Sequence, residues 1–110
     1  MASLTLAALA ALQLSLAAAP GAEADARDKG ADRVEVSGYP KEQQDRYTLF
    51  ADKCARCHPL ARAINSRFST DEWKRYIKRM VRRTGAGVTD DQSQEIFEFL
   101  KFYSSKLGVK

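Results

Sequence analysis

The chain has few of the residues that usually carry chemistry. Its 110 residues include two cysteines, one histidine, three prolines and one tryptophan. Two cysteines, Cys54 and Cys57, cannot build the disulfide framework of a small secreted scaffold. One histidine, His58, excludes any site needing two imidazoles from the same chain. Cysteine and histidine together fall short of the four ligands of a structural zinc site. The apolar stretch Leu4 to Ala19 covers about 16 residues, fewer than the ~20 that span a bilayer. Strand-period alternation is confined to Val34 and Val36, and the length leaves no room for a large multidomain enzyme.

What is present is a soluble balance of 45% hydrophobic and 29% charged residues. Lys and Arg, 18, outnumber Asp and Glu, 14, for a formal charge of +4. Such a surface favours acidic partners. The Ala/Leu run, the Pro20-Gly21 break and the small-residue triplet Ala22-Glu23-Ala24 have the order of a secretory signal peptide, although no basic residue precedes the run. The expectation is a cleaved signal over residues 1–24 and an exported, periplasmic protein. The remaining residues, 25–110, make a domain so small that its core is marginal without a staple, metal or cofactor.

Residues 25–40 are charged and contain two glycines, and read as a mobile or loosely docked N-terminal arm, most simply a tail. Residues 41–110 read as the domain. From Lys41 to Lys53 there is no Gly or Pro, and Tyr47, Phe50 and Cys54 fall on one face of a helix. Leu60, Ile64 and Phe68 recur every four residues and suggest a short helical piece. A second long helix starts at Ser69, whose spacing to Glu72 is that of a capping box, and runs to Gly85 and Gly87. Its apolar stripe is Trp73, Tyr76, Ile77, Met80 and Val81. A third starts at Thr89, with Gln92 in the same capping relation, and buries Ile96, Phe99, Leu100, Tyr103 and Leu107. The fold class is therefore all-α, with three main helices.

Cys54-Ala55-Arg56-Cys57-His58 is the C-x-x-C-H arrangement of covalent c-type haem attachment. Two thiols three residues apart reach the two vinyl groups along one haem edge, and the next residue offers an imidazole to the iron. A thioredoxin-like pair would sit near a βαβ unit, and the sequence offers no strands for one. Met80 is the single methionine outside the signal and lies on an apolar helical stripe. Its thioether can complete the iron coordination, or it can serve as an ordinary flexible core residue.

On these residues the chain resembles the small monohaem class I-type cytochromes c, over roughly residues 43 to 107. The resemblance implies a cytochrome c-like domain around one covalently bound haem c, with Cys54 and Cys57 as tethers, His58 as proximal ligand and Met80 as distal ligand. It also implies that the first and last helices cross beside the haem, Tyr47 and Phe50 against Phe97, Leu100 and Tyr103. Leu60, Ile64, Phe68, Trp73 and Ile77 are the expected haem-packing residues. Met80 departs from familiar members, where the ligand lies in a loop much further along; here it is 22 residues beyond His58 and inside a helix. Pro59 adjoins His58 directly, not at the family's usual spacing, so some other carbonyl is expected to orient the imidazole.

Lys74, Arg75, Lys78, Arg79, Arg82 and Arg83 form pairs every four residues along one flank of the second long helix. Such a run is by default a solvated face; beside a haem ligand it also suits docking of an acidic redox partner. No nucleic-acid motif accompanies the charge, while contact with anionic membrane surfaces stays open. The expected function is single-electron transfer, without enzyme activity or a small-molecule substrate. The alternatives are a haem subunit held in an oxidoreductase complex, with the arm clasping its partner, and a gas-binding or sensing haem protein with an open iron site.

Overall fold

The computed structural model describes residues 25–83 and 85–109. The expected signal peptide, residues 1–24, and its cleavage near Ala24 lie outside the described residues. Within them the chain is all-helical: a short 3₁₀ helix Ala26–Lys29, then α1 Lys41–Cys54, α2 Ala61–Ile64, α3 Thr70–Val81 and α4 Asp90–Lys106. Among the described residues there is no strand, and no helix is long and apolar enough to cross a membrane.

Local chemistry sets each helix start. Pro40 holds a fixed φ of −53° just before α1, and its carbonyl accepts from the Gln43 and Gln44 N–H groups. Both capping boxes form: Ser69 with Glu72 opens α3, and Thr89 with Gln92 opens α4. α3 stops at Val81, ahead of the glycines, because its last turn tightens. The Arg83 N–H donates to the Met80 carbonyl at 3.2 Å, and Gly85 (φ +83°) and Gly87 (φ +63°) then reverse the chain.

α4 is the central post, packed by α1 on one side and α3 on the other. The α1 contact is an aromatic ladder. Phe50 and Phe99, both without solvent exposure, stack at 5.7 Å, and Tyr47 and Tyr103 flank Phe99 at 5.3 and 6.2 Å. Each such ring contributes roughly 1.5–3 kcal/mol on burial. The crossing of first and last helices is thus present, with Phe99 rather than Phe97 at its centre. Phe97 is half-buried on the α3 side, under the Lys74 ammonium. Leu107 is not part of the buried face: α4 ends at Lys106, and Leu107 is 36% exposed.

The α3 contact turns on one buried polar knot. The indole N–H of Trp73 donates to Ser104 Oγ at 2.6 Å, and Ser104 donates to the Phe68 carbonyl at 2.9 Å. Phe68 meets Trp73 edge-on at 5.0 Å. Trp73 and Phe68 therefore knit α3 to α4 inside the protein core.

The arm is not a free tail. Arg62 on α2 pairs with Asp28 at 2.6 Å, Arg27 donates to Ser66 Oγ, and the Asn65 amide donates to the Arg27 and Ala31 carbonyls. A Cβ on Gly30 would stand 2.5 Å from Asn65 Nδ2, so glycine is what permits this approach. Further on, the Val34 N–H donates to the Tyr47 hydroxyl and Tyr39 packs edge-on against Phe102. Composition alone made the arm look like a tail because its anchoring groups are polar and their partners lie more than thirty residues away.

Replacing Ser104 by Ala leaves the buried indole N–H without an acceptor, a loss of about 1–3 kcal/mol. Thermal unfolding followed by circular dichroism is expected to show a midpoint lower by at least about 4 °C, whereas Ser105→Ala, at an exposed neighbour, changes stability by no more than about 0.5 kcal/mol.

Candidate functional site

Cys54 is the last residue of α1, so the helix delivers it into the angle between α1 and α3. The chain then leaves the helix, which lets Cys57 and His58 follow on an irregular turn. Met80 sits in the last turn of α3. All four line one narrow, largely apolar cleft that opens to solvent. Its floor and walls are Phe50, Tyr76, Ile77, Ile96 and Leu100, and Val88 closes the far side. The glycine turn that places Val88 is tied to α1 by Lys53 Nζ donating to the Gly87 carbonyl at 3.2 Å.

The expected packing set is corrected by this geometry. Ile77 lines the cleft, but Leu60, Ile64, Phe68 and Trp73 do not. Trp73 is fully buried against α4, and Ile64 belongs to the core cluster. α3 presents an apolar arc wide enough to face both α4 and the cleft, and residue type does not say which part faces which.

His58 is held at both ring nitrogens. Nδ1 lies 3.1 Å from the Pro59 carbonyl and Nε2 lies 3.2 Å from the Tyr76 hydroxyl. A carbonyl only accepts, so Nδ1 carries a proton, and in the neutral ring Nε2 then presents its lone pair to the Tyr76 O–H. The adjoining proline therefore supplies the orienting carbonyl itself, contrary to the expectation from its spacing. This is the tautomer a metal-binding imidazole needs, with the second nitrogen fixed by an outer partner.

Tyr76 is the residue that sequence reasoning placed in the core stripe without seeing its function. Its hydroxyl stands where the apolar cleft meets a second opening lined by Arg27, Arg62 and Arg83. Burial raises the Tyr76 phenol above its ordinary value, Cys54 adds to this, and Arg27, Arg62 and Arg79 oppose it. The phenol stays protonated at neutral pH and available as a donor. Its position one turn before Met80 was the signal to be read.

The two thiols are free and differ in setting: Cys57 is exposed and Cys54 half-buried. Burial, with Cys57 adding to it, pushes the Cys54 thiol up to about 11. Dithiol oxidoreductases work with a thiolate lowered towards or below neutrality, and Cys54 is shifted the other way. Among the described residues no three His, Cys, Asp or Glu side chains converge as a metal ion would require. Two thiols at i and i+3, an imidazole and a soft thioether thus line the same cleft as its apolar side chains. No family model, curated protein or solved structure matches the chain.

The raised Cys54 value has a pH signature in the haem-free, reduced protein. A thiol that keeps its proton to about pH 11 when folded but loses it near pH 9 when unfolded stabilises the fold fully below pH 9. That contribution, on the order of 2 kcal/mol, is lost as pH rises from 9 to 11. Urea unfolding across this range is expected to show the loss in the wild type and a flatter profile in Cys54→Ala, with Tyr76 supplying the remaining slope. A thioether at Cys54 abolishes the Cys54 component in the same way.

Proposed function

We propose that this chain is an exported, periplasmic haem c protein of the cytochrome c type, which carries single electrons between partner proteins. The observation that carries this reading is that Cys54, Cys57, His58 and Met80, singled out by their spacing and type, line one apolar cleft. When bound, the haem supplies a one-electron redox centre. The remaining work belongs to the chain. Cys54 and Cys57 tether the group by thioether bonds. His58 would hold the iron through Nε2 in place of its contact with the Tyr76 hydroxyl, while the Pro59 carbonyl keeps the ring from turning. Met80 offers a soft thioether from the opposite helix, which favours the reduced state and raises the potential. Phe50, Ile77, Ile96 and Leu100 exclude water, and a low-dielectric surrounding strengthens that effect.

Such a carrier needs no substrate pocket and is not an enzyme. Its partners are redox proteins with acidic docking surfaces, and the cations of α3 also suit anionic membrane surfaces. The arm rests on α1, α2 and α4 of its own domain. A haem subunit that used this arm to clasp a catalytic partner would have to break those contacts first, which favours the free carrier. An open iron site would require Met80 to turn away from a cleft that it lines.

Optical spectra of the protein matured with a c-type haem apparatus test the ligand set. The wild type is expected to be low-spin, to show the weak long-wavelength sulfur-to-iron band and to leave carbon monoxide unbound. Met80→Ala is expected to lose the band and take up carbon monoxide. A high-spin wild type that binds carbon monoxide readily would replace electron transfer by a ligand-binding haem.

A further inference from the structure

Lys74, Arg75, Lys78, Arg79, Arg82 and Arg83 are all exposed, and among the described residues none is ion-paired with a carboxylate. Most of the other cations of the domain have such partners, as Arg27, Arg46, Arg56, Arg62 and Lys101 do. A helix flank of six unpaired cations is unfavourable by itself, because like charges one turn apart repel. An external anionic surface would relieve it.

The six are not equivalent. Lys74 and Lys78 rise from the edge of a groove between α3 and α4, about 480 Å³ with its open side included. Ser93 and Gln94, both uncharged, form its α4 rim, and Ile77 and Phe97 supply its apolar surface. The Phe97 ring lies 5.8 Å from Lys74 Nζ and 5.5 Å from Lys101 Nζ. Lys101 is already neutralised by Glu98 at 2.9 Å, so the charge left to attract a partner is that of Lys74 and Lys78. Arg75 and Arg82 line neither this groove nor the cleft.

Ile77 lines both the groove and the candidate haem cleft. Ile77 is the lining residue that the two share, so whatever sits in the groove touches a side chain that also faces the cleft. This is a different side of the site from the mouth at Cys57, Tyr76 and Arg83, where the second opening lies.

We propose that the α3/α4 groove is the docking seat for an acidic segment of the redox partner, with carboxylates on Lys74 and Lys78 and an apolar side chain against Phe97. The charges supply steering, which is lost with salt, and the apolar surface supplies register. The redox meaning of this seat rests on the haem reading; the binding itself does not.

The test is nuclear magnetic resonance of the ¹⁵N-labelled full mature protein, in the ferrous state if haem is attached. The probe is a short synthetic peptide of glutamates around one central leucine, with its lysine counterpart as control. Amide shifts are expected to concentrate at Lys74, Ile77, Lys78, Ser93, Gln94 and Phe97, with none from the lysine peptide. The double variant Lys74→Glu/Lys78→Glu is expected to weaken binding at least about tenfold, against roughly threefold or less for Arg75→Glu/Arg82→Glu. Shifts centred on Cys57 and Arg83, or equal losses in the two double variants, would overturn the proposal. The visible spectrum of the same sample reports haem separately: shifts in the groove without a haem band keep the seat and remove its redox meaning, and a haem band without groove shifts does the opposite.

Discussion

The site depends on Phe99 and Ser104, two buried residues of α4 placed just over one turn apart. Phe99 fixes α1 through Phe50 and Tyr47, and α1 ends on Cys54. Ser104 fixes α3 through the indole of Trp73, and the same helix carries Tyr76, Ile77 and Met80. Neither residue lines the cleft, yet together they set the distance between its two walls. In a domain this small few other groups can do so, since about one in eight of the described residues is buried. A bound group between α1 and α3 would add the apolar contacts that this core lacks.

Around that bracket the site divides its chemistry by face. The apolar side runs from Phe50 to Leu100. The polar side holds the imidazole between a carbonyl and a phenol, which fixes the orientation of the His58 ring. Tyr76 belongs to both sides, because its ring is buried while its hydroxyl reaches the arginine-lined opening. Lys74, Arg75, Lys78 and Arg79 of α3 lie outside both and are exposed.

Much of this was legible in the sequence. Two capping boxes gave the starts of α3 and α4, the absence of Gly and Pro gave α1, and the C-x-x-C-H spacing picked out residues that the fold does gather. The radial detail was not legible. α3 has one continuous apolar arc, so Trp73 and Ile77 look alike in the sequence, although one locks onto α4 and the other lines the cleft. Phe97 and Phe99 differ by only two positions, which on a helix turns them towards different neighbours. The Pro59 carbonyl was set aside on its spacing to His58, because a backbone acceptor's reach leaves no mark in side-chain spacing. The arm escaped for a related reason: many of its anchors are hydrogen bonds and ion pairs, to α2 above all, and hydrophobic pattern says nothing about those.

The most direct test of the account is the intact mass of the protein purified after export in a host with c-type haem maturation, followed by peptide mapping. The account predicts one haem per chain, attached through both Cys54 and Cys57, on a chain that has lost residues 1–24. A chain carrying two unmodified thiols, or Cys54 and Cys57 joined to each other, would contradict it.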